Sequence, residues 1–274
     1  MLAGGRSSRM GTPKAALEWH GSTLLRRITG LVARAIDGPV VVVRAPGQEL
    51  PALPPGIRLA EDEREGRGPL QGLAAGLDAL ADDVEAAYVS STDVPLLHPA
   101  FVRCVVAALD EGADVALPVV HGFPQPLSAA YRTSVLPVVQ RLVEADRLRP
   151  AFLFDECRVV RLDAEALLAD PAVAAFDPAL ESVLNANEPD DYAAVRARPA
   201  PAVTIECFGA LRTGAGRRPR AVPAATLAQA ALAAGLELGD HVVAAVNGDL
   251  ISRDPELPLA YGETVSFLAA DAGG

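Results

Sequence analysis

Up to about residue 195 the sequence alternates between short apolar runs and stretches rich in alanine and leucine, and this alternation limits the possible folds more than any other feature. The apolar runs are predicted to be buried strands and lie at 39–44, 86–91, 114–119 and 158–163. The alanine- and leucine-rich stretches are predicted to be helices and lie at 22–36, 70–83 and 98–112. Strands that alternate with helices form βαβ units, so we predict an α/β fold of Rossmann type with a mostly parallel sheet.

The pattern changes after a proline-rich segment, RARPAPA at 196–202, which is typical of a stiff linker. Beyond it, one predicted helix at 225–235 lies among predicted strands at 202–209, 241–251 and 263–270. The sequence therefore predicts a domain at 1–195, a linker at 196–202 and a small α+β domain at 203–274.

Composition excludes several classes of partner. The net charge is −11, which argues against binding to nucleic acid or to an anionic membrane surface. No apolar run approaches the length of a membrane span, and the three cysteines are odd in number and far apart. We expect a cytoplasmic protein with reduced thiols, no membrane partner and no nucleic-acid partner.

Near the start, the segment LAGGRSSRMGTPK combines glycines and basic residues. Gly4 and Gly5 let the backbone approach a ligand closely, and a turn followed by a helix start offers N–H groups to an anion. Arg9 and Lys14 add positive charge, and Lys14 is the only lysine in the chain. A lysine ammonium is a compact point charge, unlike the wide guanidinium, so Lys14 is predicted to bind phosphate. The alternative is a basic surface turn.

Three further motifs carry acidic or amide side chains. Asp93 follows a predicted strand, where ligands collect in an open α/β sheet, and it could hold Mg²⁺ or could cap the helix near His98. Asn185 and Asn187 are spaced to point to one side of an extended segment, although Asn187 could instead cap a helix. Asp62 stands before a tight loop, EGRGPLQGL, that leads into a helix.

The ordered set LAGGRSSRMGTPK, GPLQG, STDVP and NANEPDD resembles the molybdenum cofactor guanylyltransferases, which belong to the GT-A-like nucleotidyltransferases. The resemblance covers residues 1 to about 195. It implies that Leu2, Ala3, Gly4 and Gly5 contact a nucleotide, that Lys14 and Arg9 bind its phosphates, and that Asp62 lies at the nucleotide pocket. It further implies Mg²⁺ on Asp93, support for the pterin or metal site from Asn185 and Asn187, and GTP and Mo-molybdopterin as substrates.

The first strand departs from this family pattern, because only Met1 and Leu2 precede the glycine loop. That strand is central in the family, so we expect an open slot in the sheet and a start codon that lies upstream. The segment VVVRAPGQ also lacks the asparagine that often follows the second strand of the family.

The last block resembles the MoaD/ThiS sulfur carriers, which are ubiquitin-like β-grasp domains, over residues 203–274. Phe208 to Arg212 (FGALR), Asn247-Gly248 and the terminal Gly273-Gly274 carry the resemblance. It implies that the Gly274 carboxylate is adenylated and becomes a thiocarboxylate, with a MoeB/ThiF-like activating enzyme and a MoaE-like molybdopterin synthase subunit as partners. The alternative for the terminal glycines is an ordinary frayed end.

The combined hypothesis is GMP transfer from GTP to molybdopterin, together with a sulfur carrier. Two alternatives stay open. The enzyme could use CTP, or the chain could be a sulfur carrier whose first domain is a scaffold without activity.

Overall fold

The computed structural model of the protein describes residues 1–4, 13–62, 66–109, 112–211 and 218–270. The chain divides into two compact units. The first unit comprises Met1–Leu17 and Thr23–Tyr192, and the second comprises Glu18–Ser22 and Ala193–Gly274.

The strands and helices that begin before residue 192 alternate along the chain. The strands are β1 (Glu18–Trp19), β2 (Ser22–Thr23), β3 (Val41–Arg44), β4 (Arg58–Glu61), β5 (Ala86–Ser90), β6 (Val115–Val120), β7 (Phe123–Pro124), β8 (Ser128–Arg132) and β9 (Val159–Leu162). The helices are α1 (Leu24–Ala35), α2 (Pro69–Asp78), α3 (Pro99–Ala107), α4 (Leu136–Glu144), α5 (Pro150–Phe154), α6 (Ala164–Leu168), α7 (Pro171–Phe176) and α8 (Pro189–Arg196). The four predicted strands are confirmed as β3, β5, β6 and β9, and the three predicted helices as α1, α2 and α3.

The strand pairing of the first unit corrects the prediction of a mostly parallel sheet. β3 pairs with β4 and β6 pairs with β9 in parallel. β8 lies between β5 and β6 and runs antiparallel to both, and β7 is antiparallel to β6. The fold is therefore α/β with mixed strand directions.

The antiparallel pairs arise from a hairpin that the sequence analysis overlooked. Val120 pairs with Phe123, so the turn between them has two residues, His121 and Gly122, with φ of 53° and 80°. Two-residue turns with positive φ match the twist of a hairpin. Because no helix intervenes between β6 and β8, the chain returns antiparallel.

Met1–Ala3 join the two groups of strands in the first unit. Leu2 N–H donates to Ser90 O, Ala3 N–H donates to Val43 O, and Val43 N–H donates to Met1 O, each at 2.8 Å. Leu2 therefore bridges in parallel to both β3 and β5. A cavity of about 380 Å³ adjoins Met1 and is lined by residues of β3, β5, α1 and α3.

From residue 202 to residue 270, the described residues of the second unit form a five-stranded sheet and one α-helix. Its elements are β10 (Ala202–Cys207), β11 (Arg220–Pro223), α9 (Leu227–Ala234), β12 (Val242–Val246), β13 (Leu250–Ser252) and β14 (Thr264–Ala269). The strand order is β11-β10-β14-β12-β13, in which only the β10–β14 pair is parallel. The single strand predicted at 241–251 is two strands, because Asn247 and Gly248 both adopt positive φ and turn the chain.

One apolar core holds the second unit together. Val203, Ile205, Leu227, Val265 and Phe267 are among its buried members. The short segment Glu18–Ser22 also belongs to this unit, and its Trp19 is 1% exposed and donates from Nε1 to Val195 O at 3.2 Å.

The three cysteines are free thiols. Within the described ranges, no helix has the length and apolar character that crossing a bilayer requires.

Candidate functional site

A cavity of about 330 Å³ lies in the first unit, at the edge where Met1–Ala3 and β5 end. Its lining includes six residues that the sequence analysis predicted to contact a nucleotide or its metal: Leu2, Ala3, Gly4, Lys14, Asp62 and Asp93. Loop residues Gly66 and Gly68, together with Gly72 of α2, also line it. The structure thus brings residues that are distant in sequence to one cavity at the ends of strands, where α/β sheets bind ligands.

The glycine loop begins beside the turn after β3. A Cβ atom on Gly4 would lie 3.2 Å from Ala45 N, closer than side chains normally approach backbone, so only glycine fits without a shift. Gln48 holds the two segments together, because its Nε2 donates to Ala3 O at 3.1 Å and its Oε1 accepts from Ala45 N–H at 3.0 Å. Gln48 is a positioning residue that the sequence analysis missed.

Lys14 and Asp93 form an ion pair in this cavity. Lys14 begins a 3-10 turn, Lys14–Ala16, and its Nζ lies 3.2 Å from Asp93 Oδ2 and 2.7 Å from Asn187 Oδ1. The side chains of Lys14 and Asp93 are 20% and 16% exposed, so solvent screens this pair less than an ion pair on the open surface. The structure therefore gathers three of the predicted site residues around one ammonium group.

Ser91 completes the surroundings of the carboxylate. Its Oγ donates to Asp93 Oδ1 at 2.5 Å, and the residue is 8% exposed. The sequence analysis did not single out Ser91, although it stands two residues before Asp93 in the predicted strand end. Its spacing from Asp93 was the available signal.

The alternative that Asp93 caps α3 is not supported. His98 is the N-cap of α3, and its Nδ1 accepts from Ala100 N–H at 3.1 Å. The carboxylate of Asp93 instead accepts from Lys14 and Ser91.

The segment that carries Asn187 is fixed by buried polar groups. Asp177 accepts from the N–H groups of Glu181 and Ser182, and Ser182 Oγ accepts from His98 N–H at 3.0 Å. Burial raises the pKa of the Asp177 carboxyl, and the hydrogen bonds from Ser182 and Glu181 oppose that rise. Ala186 N–H donates to Asp93 O at 2.7 Å, which ties this segment to the end of β5.

The two asparagines differ in their environment. Asn187 accepts from Lys14, whereas among the described residues no hydrogen bond joins Asn185 to Lys14 or Asp93. Both side chains belong to exposed residues. Asn185 therefore remains a predicted site residue without an observed link to the ion pair.

Several predicted residues lie outside the described residues. They are Gly5 and Arg9 of the first loop, Arg212 of the FGALR motif, and Gly273 and Gly274 of the tail. Their roles stay predictions.

The donor atoms of the site suit a hard divalent cation. Asp93 and Asn187 offer carboxylate and amide oxygens, which Mg²⁺ prefers as ligands. Within the described ranges, no group of three or more His, Cys, Asp or Glu side chains could hold a metal ion. Mg²⁺ is commonly bound by one or two carboxylates together with substrate phosphates and water, so the residues fit an ion that binds with a nucleotide.

Comparison with known proteins gives a family match over the first part of the chain. The MobA-like NTP transferase domain family matches residues 1–159. A probable molybdenum cofactor guanylyltransferase of Mycobacterium avium is 38% identical over 147 residues, which are 52% of this chain and 73% of that protein. A protein of the same name from Bacillus cytotoxicus is 29% identical over 161 residues, 58% of this chain and 80% of that protein.

A solved structure shares the fold. It is the molybdopterin-guanine dinucleotide biosynthesis protein A of Archaeoglobus fulgidus, with a TM-score of 0.54 and 21% identity. The match covers 71% of this chain and 94% of that protein.

The loop before α2 lines the cavity, and backbone strain at its Gly68 can be tested by substitution. Gly68 has φ of +87° and ψ of 177°, a backbone region adopted essentially by glycine alone, so Gly68→Ala should lower the free energy of unfolding by about 1–3 kcal/mol through backbone strain. Gly72→Ala is the matched control, because its Cβ would make an ordinary contact 3.4 Å from Leu2 Cδ2 in a helix. The control should be neutral or stabilising by up to about 1 kcal/mol. Urea denaturation measures both, and equal stability of the two variants would contradict the strain at Gly68.

Proposed function

The chain belongs to the MobA-like NTP transferase domain family, and on this premise we propose that it is a molybdenum cofactor guanylyltransferase. The first unit would transfer GMP from GTP to the terminal phosphate of the metal-bound pterin. The two relatives described above, both probable molybdenum cofactor guanylyltransferases, support this reaction class. The chain spans 73% of the Mycobacterium avium protein and 80% of the Bacillus cytotoxicus protein.

One observation carries the proposal: Lys14, Asp93 and the glycine-loop backbone at Gly4 line one cavity. To bind a nucleoside triphosphate, a site needs backbone atoms close to the phosphates, a cation that offsets their charge, and a carboxylate that anchors a divalent ion. Gly4 and Asp93 follow segments that pair through Leu2, and Lys14 reaches Asp93 from its 3-10 turn.

The proposed reaction is an in-line displacement at the α-phosphorus. A terminal phosphate oxygen of the pterin forms a bond to the α-phosphorus, the bond to the bridging α–β oxygen breaks, and pyrophosphate leaves with that oxygen. No covalent enzyme intermediate is required. The chain's own contribution is to position the phosphates and to neutralise charge that develops on the leaving group, mainly through Lys14 and the predicted ligand Arg9.

Asp93 is the residue that would hold the divalent cation, with Asn187 beside it. A cation bound there neutralises phosphate charge and orients the triphosphate. Ser91 would keep the Asp93 carboxylate in place through its hydrogen bond to Oδ1.

The first test offers metal-loaded pterin and Mg²⁺ with each of the four nucleoside triphosphates. We expect pyrophosphate release and dinucleotide formation with GTP. Turnover with CTP in place of GTP would make the protein a cytidylyltransferase. No turnover with any nucleotide, while a guanylyltransferase relative reacts in the same assay, would favour the scaffold alternative.

The second test replaces the only lysine by arginine. If Lys14 contacts phosphate as a point charge, Lys14→Arg should keep the fold and lose about 1.5–3 kcal/mol of transition-state binding, or about ten- to a hundredfold in kcat/KM. Arg58→Lys is the matched control, because Arg58 forms an exposed ion pair with Asp83 at 2.7 Å and should tolerate the exchange. A fully active Lys14→Arg variant would contradict the role of Lys14.

For the second unit we propose a second function, that of a sulfur carrier of the MoaD/ThiS type. The strand order supports it: the first and last strands of the five-stranded sheet, β10 and β14, lie parallel as neighbours inside it, and α9 lies between its second and third strands in sequence. This is the arrangement expected for a β-grasp domain. The last strand ends at Ala269, and three residues separate it from Gly273 in the sequence.

The tail gives a separate test of this second function. Incubation of the full chain with an E1-like activating enzyme, ATP and a sulfur donor should exchange one carboxylate oxygen of Gly274 for sulfur. Intact-mass spectrometry measures that exchange. Deletion of Gly273 and Gly274 should abolish it and leave nucleotidyl transfer unchanged. If the full chain stays unmodified while an established carrier reacts in the same assay, the sulfur-carrier function is contradicted and the terminal glycines are an ordinary frayed end.

A further inference from the structure

The ion pair at the candidate site raises the question of how a metal ion reaches Asp93. Both of its carboxylate oxygens already accept from a donor: Oδ2 from Lys14 Nζ at 3.2 Å and Oδ1 from Ser91 Oγ at 2.5 Å. The Lys14 ammonium therefore contacts Asp93 Oδ2, a carboxylate oxygen that a metal cation would also bind. Two cations at one carboxylate oxygen repel each other, so they compete for it.

Asn187 offers the Lys14 ammonium a second hydrogen-bond acceptor. Its Oδ1 accepts from Lys14 Nζ at 2.7 Å, shorter than the contact with Asp93. The backbone of this segment is tied to Asp93 through the bond from Ala186 N–H to Asp93 O. The amide can therefore hold the ammonium near the carboxylate while the ammonium leaves Oδ2.

We propose that Lys14 occupies the metal's position on Asp93 when no nucleotide is bound, and that it exchanges from Asp93 to the nucleotide phosphates when the cation binds. Asn187 is the positioning residue that holds Lys14 during this exchange. The inference rests on the proposed function for its phosphate partner, but the competition at Asp93 concerns this chain's own residues. Exchange couples the two ligands, because a phosphate that draws Lys14 away raises the affinity of Asp93 for the cation, and the coupling is reciprocal.

The experiment measures Mn²⁺ binding to the full chain without nucleotide, by electron paramagnetic resonance of the free ion. Lys14→Met keeps the length of the side chain and removes its charge. It should bind Mn²⁺ about tenfold or more tightly than the wild type, because the competing cation is gone and the carboxylate is partly shielded from solvent. Asp93→Asn should lose this binding.

Arg58→Met is the control for net charge. It also removes one positive charge from the first unit, at an exposed ion pair with Asp83, and should leave the Mn²⁺ affinity within about twofold of the wild type. Lys14→Gln is a second uncharged variant and guards against misfolding of the first, with circular dichroism as the check on both.

The role of Asn187 is tested by a double variant. Asn187→Ala should alter the Mn²⁺ affinity only while Lys14 is present, so Lys14→Met with Asn187→Ala should match Lys14→Met alone. A double variant that binds Mn²⁺ more weakly than Lys14→Met would make Asn187 a direct ligand and overturn its positioning role.

The outcomes separate this inference from the proposed function. If folded Lys14→Met and Lys14→Gln bind Mn²⁺ no more tightly than the wild type, the competition does not exist, whatever the transferase assay shows. If they bind it more tightly while the wild type transfers no nucleotide, the competition stands and the proposed function fails.

Discussion

The pairing of Met1–Ala3 with both β3 and β5 is the interaction on which the site depends. Three backbone hydrogen bonds of 2.8 Å place Leu2 between two strands that do not otherwise pair. This joint sets the distance between the segment after Ala3 and the end of β5, and so between the glycine loop and Asp93. Because backbone hydrogen bonds fix register as well as distance, the side chains that follow both strands reach one cavity. Gln48 reinforces the joint from the side of β3.

The local sequence pattern predicted individual strands and helices, because these depend on the local order of apolar and polar residues. The buried strands β3, β5, β6 and β9 are short apolar runs, and α1 to α3 follow the apolar period of a helix. The direction of pairing was wrong because it is decided by connections. The turn at His121–Gly122 contains a histidine in the left-handed region, which is uncommon for a residue with a side chain, so its hairpin signal was weak. The short helices α5 to α7 were missed because they span only five or six residues and give little periodic signal. α4 was missed although it is as long as α3 and its apolar residues follow a helical period.

The sequence predicted some residues of the candidate site and missed others. Lys14 and Asn187 were found because they are scarce residue types, and Asp93 because it follows a buried strand. The structure joins the three around one ammonium. Ser91 and Gln48 were missed because their importance lies in what they touch across the fold, and a serine or a glutamine in a turn is ordinary in composition. Asn185 shows the limit of spacing arguments, since two asparagines two residues apart meet different surroundings even when both are exposed.

The proposed metal position has a single carboxylate, and this affects its charge balance both without and with a bound cation. One carboxylate and water make a weak site for a divalent ion, because the negative charge comes mostly from the phosphates that the ion accompanies. In the absence of those phosphates, a partly buried Asp93 would lack a counterion, and burying an unpaired charge is costly. The ammonium of Lys14 supplies that counterion from within the chain. The same lysine is the group that the triphosphate needs when it arrives. One cation can therefore stabilise the resting site and neutralise the substrate, provided that it moves between the two, and the amide of Asn187 lies within hydrogen-bond distance of it.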